Sequence, residues 1–288
     1  MDWVNAIVQG ILLGGLYALF AAGLSLMFGV MRFVNIAHGD FIVLGAYAAL
    51  VAVGLTGLHP LWSLVVVVPG MAALGYLGQR ILLNRTMGDD ILPPLLVTFG
   101  FSVIIQNVLL EIFSADSQKL QAGWLETASI KITSSLNIGV MPLLIFVSAV
   151  GVIGGLQLFF YKTSLGRVLR ATSDDQDTVR LMGADNAKIF AYATAIASAV
   201  VGIAGVYLAM RTNFDPSVGP ARLLFAFEAV IIGGLGNPWG TLVGGIILGV
   251  SQAIGAQIDP GIQILSGHIA FLVVLVIRPQ GLFPKMKG

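Results

Sequence analysis

Apolar residues in this chain fall into long runs, at about 4–30, 36–56, 61–80, 93–113, 141–161, 187–210, 220–236, 240–258 and 262–278. Most are long enough for helices crossing a hydrocarbon core of about 30 Å, and they lack the period-two alternation of barrel strands. The breaks carry turn punctuation, as at His59-Pro60, Pro93-Pro94, Met141-Pro142, Asp215-Pro216, Asn237-Pro238 and Asp259-Pro260. Two interruptions stand out: Met31 to Asp40, and Gly236-Asn237-Pro238-Trp239-Gly240. Both carry Gly and Asn, and small-residue stretches follow them, Gly45-Ala46-Tyr47-Ala48-Ala49 and Gly244-Gly245-Ile246-Ile247-Leu248-Gly249. Helices broken at corresponding places in two halves point to inverted-repeat architectures. The pattern predicts an all-α polytopic membrane protein with about eight or nine transmembrane helices, two broken-helix regions and an inverted repeat. It forms one transmembrane domain over 1–288, with halves 1–113 and 141–278. Whether 220–236 crosses fully stays open at this level.

Composition agrees with a membrane class. Charged residues make up 10% of the 288 and apolar residues 57%, with a mean hydropathy of +0.93; soluble domains average about 25% charged. No cysteine is present, which removes disulfides and thiolate metal sites. The first apolar run is too long for a signal-peptide core and lacks a basic flank, so it reads as a retained span.

Net charge is only +1, but its distribution is informative. The stretch 162–188 concentrates Lys162, Arg167, Arg170, Arg180 and Lys188 among Asp174, Asp175, Asp177 and Asp185. With that loop in the cytoplasm, eleven cations fall inside: Arg32, Arg80, Arg85, Lys162, Arg167, Arg170, Arg180, Lys188, Arg278, Lys285 and Lys287. Four fall outside: Lys119, Lys131, Arg211 and Arg222. The positive-inside rule therefore places the N-terminus outside, the C-terminus inside and the polar segment 114–140 outside. Trp124 in that segment reads as an interface anchor or as a docking point for an external partner.

Charges at membrane depth cost about 2.5–3.5 kcal/mol on insertion scales, so Asp40 and Glu228 need a reason. Asp40 follows Asn35, His38 and Gly39; Glu228 precedes Gly233, Gly234, Gly236 and Asn237. They either cap backbone groups at helix ends or line a translocation path. Gln106 and Asn107 can bond between helices. Gly240, Gly244, Gly245 and Gly249 suit close helix packing, with a substrate path or a subunit seam as the alternative. His38 and His268 lie too far from other ligand types in sequence to suggest a metal. No phosphate-binding G-x-x-x-x-G-K-[ST] loop, G-x-S-x-G elbow or H-E-x-x-H helix occurs, so the chain has no ATPase motif and no sign of an enzyme.

Several segments together resemble one family. Asn35-Ile36-Ala37-His38-Gly39-Asp40 with Gly45-Ala46-Tyr47 resembles the N-terminal signature of permease subunits of branched-chain amino acid ABC importers. Thr163 to Ala171 and Leu181-Met182-Gly183-Ala184-Asp185 are similar to its cytoplasmic segment, with Asp185 in an Asn place and Ala184 in an Ile place. Glu228 to Gly240 is similar to its late signature, and the short loop bearing Asp89 and Asp90 is a departure. The resemblance implies a second homologous permease subunit, two cytoplasmic ATPase subunits that bind ATP and Mg, and a periplasmic solute-binding protein. It implies no cofactor or metal on this chain, no nucleic acid, and a place in the bacterial inner membrane. It also implies a coupling helix around Asp177, Val179, Arg180, Leu181, Met182, Gly183 and Asp185. Locally, residues that favour helix N-caps (Thr172, Ser173, Asp174, Asp175 and Asp177) and Gly183 predict a short helix from about 177 to 183. The function expected is inward transport of branched-chain or related amino acids. Importers of urea or short amides share the pattern, and an ion-gradient transporter or channel could also use broken helices.

Overall fold

The computed structural model describes residues 2–88, 90–133 and 136–283. Asp89, Lys285 and Lys287, used above for a loop and for the charge count, lie outside the described residues. The helices are α1 (Asp2–Met31), α2 (His38–Thr56), α3 (Leu64–Ile81), α4 (Leu92–Phe113), α5 (Trp124–Thr127), α6 (Val140–Lys162), α7 (Ser164–Asp174), α8 (Gln176–Leu181), α9 (Asn186–Arg211), α10 (Gly219–Gly233), α11 (Pro238–Ile258) and α12 (Gln263–Ile277). Among the described residues eight segments are long and apolar enough to cross a membrane: α1, α2, α4, α6, α9, α11, and α3 and α12 with their 3-10 leads. α10 is not one of them. Its 15 residues rise about 22 Å, short of a bilayer core of about 30 Å.

α1 and α9 occupy the centre, whereas α4 and α12 lie at the periphery. Small residues allow this, because helices in lipid associate through close packing. α1 crosses α11 where Gly10 and Gly14 face Gly245 and Gly249; a Cβ on Gly249 would sit 2.6 Å from the Gly14 nitrogen. α9 packs against α3 and α2, with Gly202 against Met71 and Gly205 against Ile42 and Ala46.

The two faces of the molecule follow from a few bonds. On one face, Gln9 donates to the Asn137 carbonyl at 2.8 Å, Leu120 N–H donates to Ala209 at 2.8 Å, and Gln118 and Phe214 exchange backbone bonds. This face carries an antiparallel hairpin, β1 (Ser129–Thr133) and β2 (Leu136–Gly139), in register Ile130 with Ile138. The hairpin was not anticipated from the sequence, although Ile130-Lys131-Ile132 alternates as a strand does. On the other face lie the end of α1, helices α7 and α8, and residues 281–283, where Leu282 and Phe283 N–H groups donate to Ile232 and Gly233. The two termini of the described chain are therefore on opposite faces.

Two breaks make that parity possible. α1 ends at Met31, and the chain turns back until His38 Nε2 lies 2.7 Å from the Phe20 carbonyl. Phe20 is about 16 Å inside the end of α1, so α2 starts near mid-depth. α9 ends on the hairpin face, and residues 212–218 lead back inward to Gly219, whose backbone touches Gly39. α10 then runs to the loop face, where Gly236 meets Gly29. The mid-depth break of the second half thus lies at 212–218. The Gly236–Gly240 interruption is a surface turn, made by Gly234 and Gly236 at φ of 104° and 79° and by Asn237, which accepts from Gly240 N–H.

Candidate translocation path and coupling surface

The N-terminal ends of α2 and α10 meet inside the molecule. Gly39 and Gly219 touch backbone to backbone, and a Cβ on either would strike the other helix. Asp40 sits at this crossing, buried, with Oδ1 accepting from Gln106 Nε2 of α4 at 2.9 Å. Ser102 takes a second bond from Gln106 at 3.2 Å. Asn35 Oδ1 accepts from Ala37 N–H at 3.0 Å, and Thr98 Oγ1 from Ile36 N–H at 3.2 Å. Two N–H groups of the broken backbone thereby find side-chain acceptors, which irregular chain at membrane depth needs. Among the described residues Asn107 bonds within its own helix, to the Val103 carbonyl.

Glu228 is buried on α10, and its Oε1 lies 2.5 Å from His268 Nδ1 of α12. The other oxygen, Oε2, has no hydrogen-bond partner. The His268 ring stacks at 6.2 Å on Phe225, Phe225 lies 5.1 Å from Tyr17, and the Tyr17 hydroxyl donates to Gln252 Oε1 at 2.6 Å. The carboxylates of Asp40 on α2 and Glu228 on α10 are thus each held by a side chain of a later helix, α4 and α12. The sequence singled out both carboxylates but did not join His268 to Glu228: forty residues separate them, and no motif marks the pair. Among the described residues no group of three His, Asp or Glu is placed to hold a metal ion.

The other residues read as path lie nearer the loop face. Gly233, Gly234, Gly236 and Asn237 form the α10–α11 turn on the loop face, about a helix length from Gly39. Gly233 and Gly240 touch through their backbones, and Gly244 lies against the Ala229 carbonyl. Gly240 and Gly244 thus face α10, while Gly245 and Gly249 face α1.

On the loop face, Thr163 caps α7 by accepting from Gly166 N–H at 2.9 Å. Asp175 starts α8, accepting from Thr178 N–H at 3.1 Å and from its hydroxyl at 2.6 Å. Gly183, at φ 85°, closes it, with N–H groups of Gly183 and Ala184 returning to Arg180 and Val179. Asp185 caps α9, accepting from Lys188 N–H, and its other oxygen lies 3.5 Å from Lys188 Nζ. Val179 points inward, whereas Leu181 and Met182 are 88% and 82% exposed beside an exposed Arg180. Asp177 lies on α8, and its side chain is outside the described residues. The segment is tied to the end of α1. Arg32 donates to the Ser173 and Asp174 carbonyls at 3.2 Å, Ser173 Oγ donates to the Gly29 carbonyl, and Gln176 Nε2 donates to that of Val30 at 3.2 Å.

The profile of the family described as branched-chain amino acid transport system / permease component matches residues 6–277. The chain belongs to this family. Among curated relatives of this permease is the high-affinity branched-chain amino acid transport system permease protein BraD of Pseudomonas aeruginosa, 31% identical over 97% of this chain and 95% of the relative. The probable permease LivH of Methanocaldococcus jannaschii is 29% identical over 96% and 91%. A second type of relative, LivM of Escherichia coli, is 26% identical over 93% of this chain and 68% of its own length. A solved structure titled PsaBC from Streptococcus pneumoniae in complex with Fab shares the fold at a TM-score of 0.50 and 13% identity, covering 96% of the permease and 92% of that chain.

The family expected from the signatures at 35–47, 163–185 and 228–240 is thus the one matched. Those signatures fall on the start of α2, on the α7–α8 segment, and on the end of α10 with the α10–α11 turn.

Proposed function

We propose that this permease is the membrane-spanning subunit of an ATP-driven importer that carries branched-chain or related amino acids inward. It pairs with a second homologous permease, takes its energy from two cytoplasmic ATPase subunits that hold ATP and Mg, and receives solute from a periplasmic binding protein. The carrying observation is the surface of α8, where Leu181 at the end of a short, doubly capped helix and Met182 just after it stand almost fully exposed, outside the span helices. Exposed apolar side chains on an ordered polar segment mark a protein contact. The cation count favours the loop face as cytoplasmic, which puts the N-terminus in the periplasm and the C-terminus in the cytoplasm of a cell with an inner membrane.

In this reading Asn35, His38, Gly39, Asp40 and Glu228 lie along the path, and Gly233, Gly234, Gly236 and Asn237 lie at its loop-face end. Motion of α8 shifts the two broken helices that meet at Gly39 and Gly219. The halves 1–113 and 141–278 act as inverted counterparts, which the paired carboxylates Asp40–Gln106 and Glu228–His268 support. The test is uptake by proteoliposomes holding the full assembly. Leucine uptake that requires ATP and the loaded binding protein is expected. Uptake by this chain alone on an ion gradient would overturn the reading, and uptake of urea or short amides instead of leucine would replace the solute class.

A further inference from the structure

We infer that Arg32 is a positioning residue that straps the α7–α8 joint to the first broken helix, so that movement of α8 reaches the path through it. The inference rests on the proposed coupling role of α8. Arg32 is the residue at which α1 stops, and it is one of two described non-glycine residues with positive φ, at 58°. That conformation is disfavoured for a side-chain-bearing residue, so the surroundings must hold it there. They do so through the segment that would receive the stroke. The guanidinium donates to two successive carbonyls, Ser173 and Asp174, which end α7 immediately before α8. Both bonds come from one nitrogen, Nη2, whose two N–H groups serve one carbonyl each. Ser173 and Gln176 add bonds to Gly29 and Val30, so three positions around the end of α1, 29, 30 and 32, move with the joint.

The other end of the strap is short. Six residues separate Arg32 from Gly39, and most of that segment is pinned by Asn35, Thr98 and the His38–Phe20 contact. A displacement at Arg32 therefore arrives at the Gly39–Gly219 crossing with little slack. Gly29 also touches Gly236, so the same end of α1 bears on the far end of α10. There is room for the movement: a cavity of about 470 Å³ lies beside the strap, lined in part by Met31, Arg32, Phe33, Ile91, Asp174 and Gln176. A packed interior switches between discrete arrangements rather than deforming continuously, so a joint next to open volume can take two positions.

The experiment uses the complete assembly in proteoliposomes, measuring ATP hydrolysis and leucine uptake in the same vesicles. Arg32→Ala is expected to leave assembly and hydrolysis near the wild-type level while uptake per ATP falls about tenfold, a coupling loss of ordinary size. Arg32→Lys should recover part of the ratio. The chain has no cysteine, so Val34→Cys gives a second readout. Its labelling should respond to ATP in an otherwise wild-type assembly and stop responding when Arg32→Ala is added. A merely structural role would lower assembly without changing the ratio. Uptake per ATP unchanged in Arg32→Ala overturns the strap while leaving the importer reading standing. A wild-type assembly that hydrolyses ATP without ATP-dependent uptake overturns the importer reading and the strap with it.

Discussion

Replacing His268 by alanine probes a buried polar contact between two helices of the membrane region. Glu228 is buried, and its Oε1 is hydrogen-bonded to the imidazole Nδ1 at 2.5 Å. Without the imidazole, the carboxyl group is either an unpaired charge or an acid with no acceptor for its proton. Removing one member of a buried pair costs about 3–5 kcal/mol, and a lone charge at membrane depth about 2.5–3.5 kcal/mol. The His268 side chain is 30% exposed, so the lower end applies, and we expect about 3 kcal/mol. At about 2–4 °C per kcal/mol, that lowers the melting temperature by about 6–12 °C. The double variant Glu228→Ala with His268→Ala removes the stranded group as well. It should melt closer to wild type than His268→Ala alone, with a coupling of about 1.5–3 kcal/mol. The assay is thermal unfolding in detergent of the wild type, both single variants and the double. If the double variant loses the sum of the two single losses, the carboxylate does not depend on His268 and the reasoning fails.

Leu181→Ala with Met182→Ala removes two exposed side chains, so melting should stay within about 0.5 kcal/mol of wild type while co-purification of the ATPase subunits is lost; retained ATPase would remove α8 as the docking surface. Gly39→Ala drives a Cβ into the Gly219 carbonyl and should destabilise by about 1–3 kcal/mol, whereas Gly54→Ala, which meets open space, should be neutral or mildly stabilising in the same melt. The Glu126 carboxyl is held below its usual range by Lys119, 2.7 Å away, and by the Ala122 N–H. A depressed folded value means that this contribution is present above the ordinary carboxylate range and lost as pH falls through the lowered value. Emission of Trp124, read with the other tryptophans replaced by phenylalanine, should shift below about pH 4, and Glu126→Gln should abolish the shift.

Much of the architecture was legible because a bilayer imposes a length and a polarity on every span. The runs beginning near Val4, Val140 and Asn186 became helices at nearly the expected bounds. Helix α8 was legible from its punctuation, although its starting cap is Asp175 and Thr163 caps the helix before it. The second break was read at the wrong depth. Gly236-Asn237-Pro238 and Asp215-Pro216 are both turn signals, and no local pattern states which of them turns at a surface and which turns inside. The hairpin at 129–139 was passed over within a polar segment, since a five-residue alternation is weak evidence.

Length, apolarity and charge placement along the chain determined that it is a multi-span membrane protein, and its signatures determined its family, because those are properties of single segments. Tertiary structure decided that α1 and α9 are central, since both are apolar all round and present no distinctive face. It decided that α10 stops short of a full crossing, since its inner end is set where Gly219 meets Gly39. It also decided the partners of the buried groups: Gln106 for Asp40, His268 for Glu228, and the Ser173 and Asp174 carbonyls for Arg32. Those pairs lie 40 to 142 residues apart, and only the packing of whole helices brings such distant groups within hydrogen-bonding reach.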